Sequence, residues 1–391
     1  MAATSTVETG ALLLAGGRVV TPDGILEGAW VHLADGEIAS VGFGRPAIDA
    51  PVVDLQGAWL LPGFVDVHMH GGGGHSVSTS PADMEAAVAF HSRHGTTATL
   101  VSLVTAPLDD LEQQLGWAAA LTRRGPRPSG TVLGSHLEGP FLSVHRCGAQ
   151  NAAHMIAPEP EAVERLLRAG GDALRMMTLA PELPGALALI ERLRILGVVA
   201  ALGHSDASYE VAMEAIAAGA TQATHIFNAM PPLHHRKPGL AGAALDARLA
   251  CELINDGRHL HAETVRMVFR LVPRPLLITD AIDAAGVGDG TFDLGGQEVY
   301  VHDGEARLVR SGSLAGSTLT MDEALRRTVK EGGVAIEQAS TAASGNPATV
   351  LGLREMFGAI APGLRADLVV LDDDLRVRDV MSAGIWVEQS N

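Results

Sequence analysis

The chain has 391 residues, 47% of them hydrophobic and only 4% aromatic, and a formal net charge of −17. That length and apolar content allow a large buried core, and a barrel of about 250 residues or more with a small appendage suits them as well as two or three domains do. So acidic a chain repels nucleic acid and anionic membranes, and an anionic substrate would need a local cationic pocket to overcome the global field.

Residues 1–9 read as a disordered start. From Leu12 to Leu61 short β segments alternate with Gly and Asp turns, and Asp23-Gly24 and Asp35-Gly36 are hairpin signals. From Phe64 onward the pattern changes to alternation of strand and helix. Apolar runs at 64–70, 98–104, 131–138, 174–180, 198–204, 222–228, 250–256 and 276–280 read as strands. Ala-rich stretches at 83–94, 108–123, 160–169, 186–196, 208–218 and 262–271 read as helices between them. Roughly eight such units in one run predict an α/β fold of the (β/α)8 TIM-barrel type over 63–359, with a doubly wound open sheet as the competitor. Residues 286–312 interrupt the pattern with a Gly/Asp-rich, β-like insertion. At the far end Leu368–Leu371 and Ile385–Val387 are again β-like, so 1–62 and 360–391 are expected to form one small β-sandwich from both termini.

The two cysteines, Cys147 and Cys251, form no CxxC motif and imply no disulfide framework. No apolar run reaches spanning length, and Ala11–Ala15 is too short for a signal-peptide core. A soluble cytoplasmic protein is expected.

His68 and His70 sit two apart on the first barrel strand and therefore face the same side. Two imidazoles on one face at a strand end make half of a metal site. The spacing alone is weak, because His259 and His261 repeat it elsewhere. Position strengthens it: Glu138, His204, His225 and Asp280 also fall at or near the C-terminal ends of expected strands, which meet over one mouth in a barrel. Imidazoles and carboxylates without thiolates suit Zn²⁺, Fe²⁺, Mn²⁺ or Co²⁺ at a catalytic rather than a structural site. Such a metal lowers the pKa of water from ~15.7 to as low as ~7. Asp280 is the candidate to take the water proton and return it to a leaving amine; a helix N-cap or a plain metal ligand are its other readings.

Those residues lie in motifs that carry a resemblance. Leu61-Pro62-Gly63-Phe64-Val65-Asp66-Val67-His68-Met69-His70 resembles the first strand of the amidohydrolase superfamily. His136-Leu137-Glu138-Gly139-Pro140-Phe141, Gly203-His204-Ser205-Asp206-Ala207, Thr224-His225-Ile226-Phe227-Asn228-Ala229-Met230, Thr279-Asp280-Ala281, Ser313-Leu314-Ala315-Gly316-Ser317 and Gly345-Asn346-Pro347-Ala348 are narrower. In order, over nearly the whole chain, they resemble the N-acetylglucosamine-6-phosphate deacetylases.

The resemblance implies metal-dependent hydrolysis of an N-acetyl amide on a sugar phosphate, in amino-sugar catabolism and recycling. It implies Glu138 bridging two metals, with His204 and His225 on one and His68, His70 and Asp280 on the other, hence one or two divalent ions per subunit and zinc first among them. Ala149, Gln150, Asn228, Ala229, Leu314, Ala315 and Gly316 are expected to meet substrate. Arg236 and His259 are expected at the phosphate, with Arg236 reaching across a homodimer. Deacetylation of the galactosamine epimer, another amidohydrolase reaction and a non-catalytic barrel scaffold are the alternatives.

Overall fold

The computed structural model describes residues 10–44 and 47–388, so the stretch read as a disordered start lies outside the described residues. Eight parallel strands form one sheet in sequential order. They are Phe64–Asp66 (β1), Thr96–Val104 (β2), Thr131–Glu138 (β3), Leu174–Leu179 (β4), Val199–Leu202 (β5), Gln222–Ala223 (β6), Ala250–Ile254 (β7) and Pro275–Ile278 (β8). Parallel strands are covered on both faces, which is why they read as apolar runs rather than as alternation; β2 is buried at every position. The ring closes just past β1 and β8. Asp280 N–H donates to the His68 carbonyl and His70 N–H to the Ala281 carbonyl, each at 2.8 Å. Thr279 Oγ1 donates to Asp66 Oδ2 at 2.6 Å across the same seam.

The six expected helices form within two residues of their expected ends, from Pro81–Ser92 to Ala262–Leu271. Ser80 caps the first of them by accepting from Asp83 N–H. Gly239–Asp246 and Met321–Lys330 are further helices, which fill the crossover after β6 and follow β8. The run 222–228, expected as a strand, pairs only over its first two residues. His225 and Phe227 turn left-handed, with φ of 27° and 76°, and lift the chain out of the sheet.

Strands from both ends of the chain make a second, separate sheet of eight strands. Within it Trp59–Pro62 pairs in parallel with Leu12–Thr21 and antiparallel with Leu368–Leu371. Leu14, Val19, Val31, Leu60, Leu368 and Val370 bury its own apolar face. One residue, Gly63, separates this sheet from β1, and its N–H donates to the Asp367 carbonyl. The expected insertion forms a three-stranded antiparallel sheet, Gly290–Leu294 (β9), Gln297–His302 (β10) and Glu305–Leu308 (β11). Val299, Val301 and Leu308 pack it with Val104 and Ile282. Among the described residues no helix is long and apolar enough to cross a membrane.

Candidate metal centre and active site

The residues at the C-terminal ends of the barrel strands converge. Nε2 of His68 and of His70 lie 3.1 Å apart, and Nε2 of His204 and of His225 lie 3.0 Å apart. Glu138, at the end of β3, stands between the two pairs. Its Oε1 is 3.1 Å from His204 Nε2, 3.1 Å from His225 Nε2 and 3.4 Å from His68 Nε2, while its Oε2 is 3.3 Å from His70 Nε2. Asp280 completes the ring, with Oδ1 3.1 Å from His70 Nε2. His68, His70, Glu138 and Glu138, His204, His225 form two groups whose ligand atoms all lie within 4.8 Å of one another.

The local backbone aims these side chains. His204, His225 and Asp280 all have positive φ, 46°, 27° and 50°, a region costly for residues with a Cβ. Each sits where a strand breaks, so the side chain tips over the mouth instead of alternating along the sheet. The far side of three rings is anchored: His68 Nδ1 lies 3.0 Å from Glu252 Oε2, His70 Nδ1 2.9 Å from the Ser102 carbonyl, and His204 Nδ1 2.9 Å from the Arg146 carbonyl. Those partners accept, so the proton belongs on Nδ1 and the Nε2 lone pair faces the centre.

Two lone pairs facing each other at 3.0–3.1 Å repel unless a cation lies between. Tetrahedral ligand nitrogens at ~2.0–2.1 Å from a metal stand roughly 3.3 Å apart, close to that spacing. The electrostatics agree. Burial opposes a charge on His70, yet hydrogen bonds to Asp280 and Glu138 lift it to about 9. Burial also opposes ionisation of Asp280, and His68 and His70 nonetheless hold it down at about 2. A centre that draws protons so strongly draws metal cations by the same carboxylates, in competition with those protons. The donor set therefore fits a divalent metal.

Above the ligands lies a cavity of about 290 Å³. His70, Glu138, His204, His225 and Asp280 form its floor, and His68 lies buried behind them. Ala149, Gln150, Asn228, Ala229, His259, Leu314 and Gly316 line its walls. Gln150 also does something not expected of it: Nε2 donates to Glu138 Oε2 at 2.5 Å, and Oε1 accepts from Thr105 N–H at 2.7 Å. Gly316 has φ 58°, and a Cβ there would sit 2.6 Å from Ile282 and 2.9 Å from the Asp280 carbonyl, so a side chain is excluded. His259 Nδ1 pairs with Asp256 Oδ2 at 2.8 Å; burial alone would depress the ring, but Asp256 raises it.

Ala315, expected to meet substrate, is not on the wall, and neither is Arg236, which is expected to reach the site of a second copy. Ala315 is fully buried in the core under β9–β11. Arg236 is exposed on the loop after β6 and bonds to its neighbour His235. Gly148, Ile254, Leu294 and Ser313 line the cavity without having been expected. Leu294 belongs to the insertion, where alternation marks it as inward-facing but nothing in the sequence says over what.

A model described as Amidohydrolase family matches residues 59–387. The chain is 38% identical to an N-acetylgalactosamine-6-phosphate deacetylase of Escherichia coli O157:H7, over 94% of this chain and 97% of that protein. It is 40% identical to the N-acetylglucosamine-6-phosphate deacetylase of Bos taurus, over 85% of each. Among solved structures, an N-acetyl-D-glucosamine-6-phosphate deacetylase mutant from Mycobacterium smegmatis, in complex with N-acetyl-D-glucosamine-6-phosphate, superposes with a TM-score of 0.92 at 41% identity, over 97% of this chain and all of that one.

Proposed function

The chain belongs to the amidohydrolase family, and from that premise we infer its reaction: hydrolysis of the N-acetyl amide of N-acetyl-D-glucosamine-6-phosphate to D-glucosamine-6-phosphate and acetate, with a divalent metal. The observation that carries this reading is the convergence of four imidazole Nε2 atoms on Glu138 beneath the cavity.

In this reading His68, His70, Glu138 and Asp280 hold one cation and Glu138, His204 and His225 hold a second, with zinc the first choice for such a donor set and iron, manganese or cobalt as substitutes. When bound, the metal supplies Lewis acidity, which activates water and polarises the amide carbonyl. Asp280 is ionised at neutral pH and reaches the cavity, so it can accept the proton of the attacking water. It then returns that proton to the amide nitrogen, since an amine leaves only once protonated. Gln150 holds Glu138 in the orientation that serves both groups. His259, raised by Asp256, suits the phosphate end, and Ala149, Gln150, Asn228, Ala229, Leu314 and Gly316, with the backbone at Ala315, suit the sugar and its acetyl group.

Among the described residues, the wall of one subunit carries neither Lys nor Arg. We propose that the phosphate meets Arg236 of a second copy in a homodimer, which accounts for an arginine held exposed on a loop. A cytoplasmic location is part of the same proposal, as is the division of the chain into 63–359 and the paired ends 1–62 and 360–391. The test is release of free amine by purified protein from both N-acetylglucosamine- and N-acetylgalactosamine-6-phosphate, with metal content measured on the same sample. Metal-loaded protein that releases amine from neither sugar would sink the reading. Faster release from the galactosamine epimer would favour the second reading, which the Escherichia coli O157:H7 relative supports.

A further inference from the structure

Glu252 is a charged residue in the middle of the apolar strand Ala250–Ile254, and it is fully buried. Its Oε2 accepts from His68 Nδ1 at 3.0 Å and from the backbone N–H of His225 at 3.0 Å. Its Oε1 accepts from Gln222 Nε2 at 2.5 Å. One carboxylate thus touches both ligand groups from below: the side chain of a ligand in the first, and the left-handed turn that presents a ligand in the second.

A buried carboxylate is expensive unless its charge is matched. None of the three donors is a Lys or Arg; they are an imidazole, a carboxamide and a peptide N–H. The charge that matches Glu252 lies on the other side of the His68 ring, where a cation would sit. A carboxylate on the distal nitrogen of a ligating imidazole fixes its tautomer and makes it a stronger donor.

We propose that Glu252 is a positioning residue for the metal centre, raising the affinity of the His68–His70–Glu138 group through the His68 ring while pinning His225 through its backbone. The proposal rests on the ligand assignment given above. It separates charge from scaffold, because the two contacts need different things. His68 needs a negative acceptor; His225 needs only an acceptor.

Glu252→Gln makes that separation. Its carbonyl oxygen can still accept from His68 Nδ1 and His225 N–H, and its amide can donate to Gln222 Oε1, which is buried without a partner and becomes available when Gln222 rotates. Zinc is titrated into metal-free wild type and variant against a chelating dye, and anomalous diffraction assigns each binding step to its ligand group. The expected result is a ~10–100-fold loss of zinc affinity at the first group, with the second group within a few-fold of wild type. Glu252→Ala, which removes the acceptor altogether, is expected to weaken both. Unchanged affinity in Glu252→Gln, or equal loss at both groups, overturns the proposal. If the variants do not fold, zinc-loaded wild type decides by ¹⁵N-histidine spectroscopy: a His68 proton on Nδ1 supports the proposal, and a proton on Nε2 overturns it. Wild type that binds no zinc at either group refutes the ligand assignment instead, so the two failures are distinguishable.

Discussion

His68 and His70 reach the centre from the extended segment that continues β1 past Asp66; His204 and His225 reach it from two turns. The first pair extends β1 in regular alternation, and its distal nitrogens are anchored inside the barrel by Glu252 and the Ser102 carbonyl. The second pair stands in left-handed conformations, each costing about 1–3 kcal/mol. His204 is anchored only by a loop, through the Arg146 carbonyl, and His225 Nδ1 is buried with no partner among the described residues. The same ligand chemistry is thus held at both rings of one pair by the core, and in the other pair by left-handed turns, one loop contact at the His204 ring and the His225 backbone N–H on Glu252. The barrel half is preorganised, and in the turn half the His204 ring depends on the segment around Arg146 staying in place.

The largest effect should come from removing what both halves share. A chelator should abolish turnover, and Zn²⁺, Mn²⁺, Co²⁺ or Fe²⁺ should restore it. Glu138→Ala should empty both halves, whereas His204→Ala and His225→Ala should release metal mainly from the turn half. Metal analysis beside activity checks this; full activity after chelation would remove the basis of the comparison.

Asp280→Asn comes next. It keeps the shape at the seam between β1 and β8 but cannot accept a proton. A loss of at least ~10² in kcat is expected, with substrate binding largely retained. Near-normal kcat would assign proton transfer to another group.

Arg236 lies outside both halves, so neither metal group should notice its loss. Arg236→Ala should lower kcat/KM by roughly 10–150-fold for the phosphorylated sugar, the worth of one charge-assisted hydrogen bond. Unphosphorylated N-acetylglucosamine should be almost unaffected. On the homodimer proposal, mixing this variant with Asp280→Asn should regain activity, because a hybrid dimer would contain one site with an intact Asp280 and a borrowed Arg236. Equal losses on both sugars would leave the arginine a structural role.

The smallest expected effect sharpens the barrel half alone. His91 donates from Nε2 to the Gly71 carbonyl at 2.8 Å, immediately after His70, and burial pushes its pKa down to about 4. A histidine depressed in the folded state binds its proton first in the unfolded chain. Its stabilising contribution is therefore complete above pH ~6.5 and is lost as pH falls towards 4. The shift corresponds to at most about 3 kcal/mol over that window. His91→Gln, which keeps a donor for Gly71, should flatten the acid limb of a denaturant-stability profile by up to that amount. An unchanged slope would show that His91 does not contribute to acid lability.

The same contrast explains what could be read in the sequence. The HxH pair is visible because strand periodicity places both rings on one face. His204, His225 and Asp280 are legible as polar residues ending apolar runs and through the motifs around them; their left-handed backbones depend on tertiary contacts and leave no local mark. Glu252 was hidden because a single charge inside Ala250–Ile254 does not break a strand pattern, and its partners are distant in sequence. The helix Gly239–Asp246 was hidden by Pro238 and two glycines, which read as a loop. Gly242 is small for a packing reason, since a Cβ there would lie 2.3 Å from the Pro238 ring. Arg236 reads in the sequence as a phosphate contact reaching across a homodimer; its exposed place on the loop after β6, off the wall of its own subunit, is visible only in the fold.

The sheet shared by the two ends of the chain also sets an order of events during synthesis. Trp59–Pro62 leaves the ribosome early, and its neighbour Leu368–Leu371 follows ~300 residues later, roughly 15–60 s at ordinary translation rates. Throughout that interval one edge of Trp59–Pro62 is open and the face bearing Leu14, Val19 and Leu60 lacks the cover that Leu368 and Val370 complete. An open edge beside bare apolar surface is where nascent chains stick to one another. Since Gly63 alone separates that edge from β1, a growing chain that mispairs there would carry His68 and His70 with it.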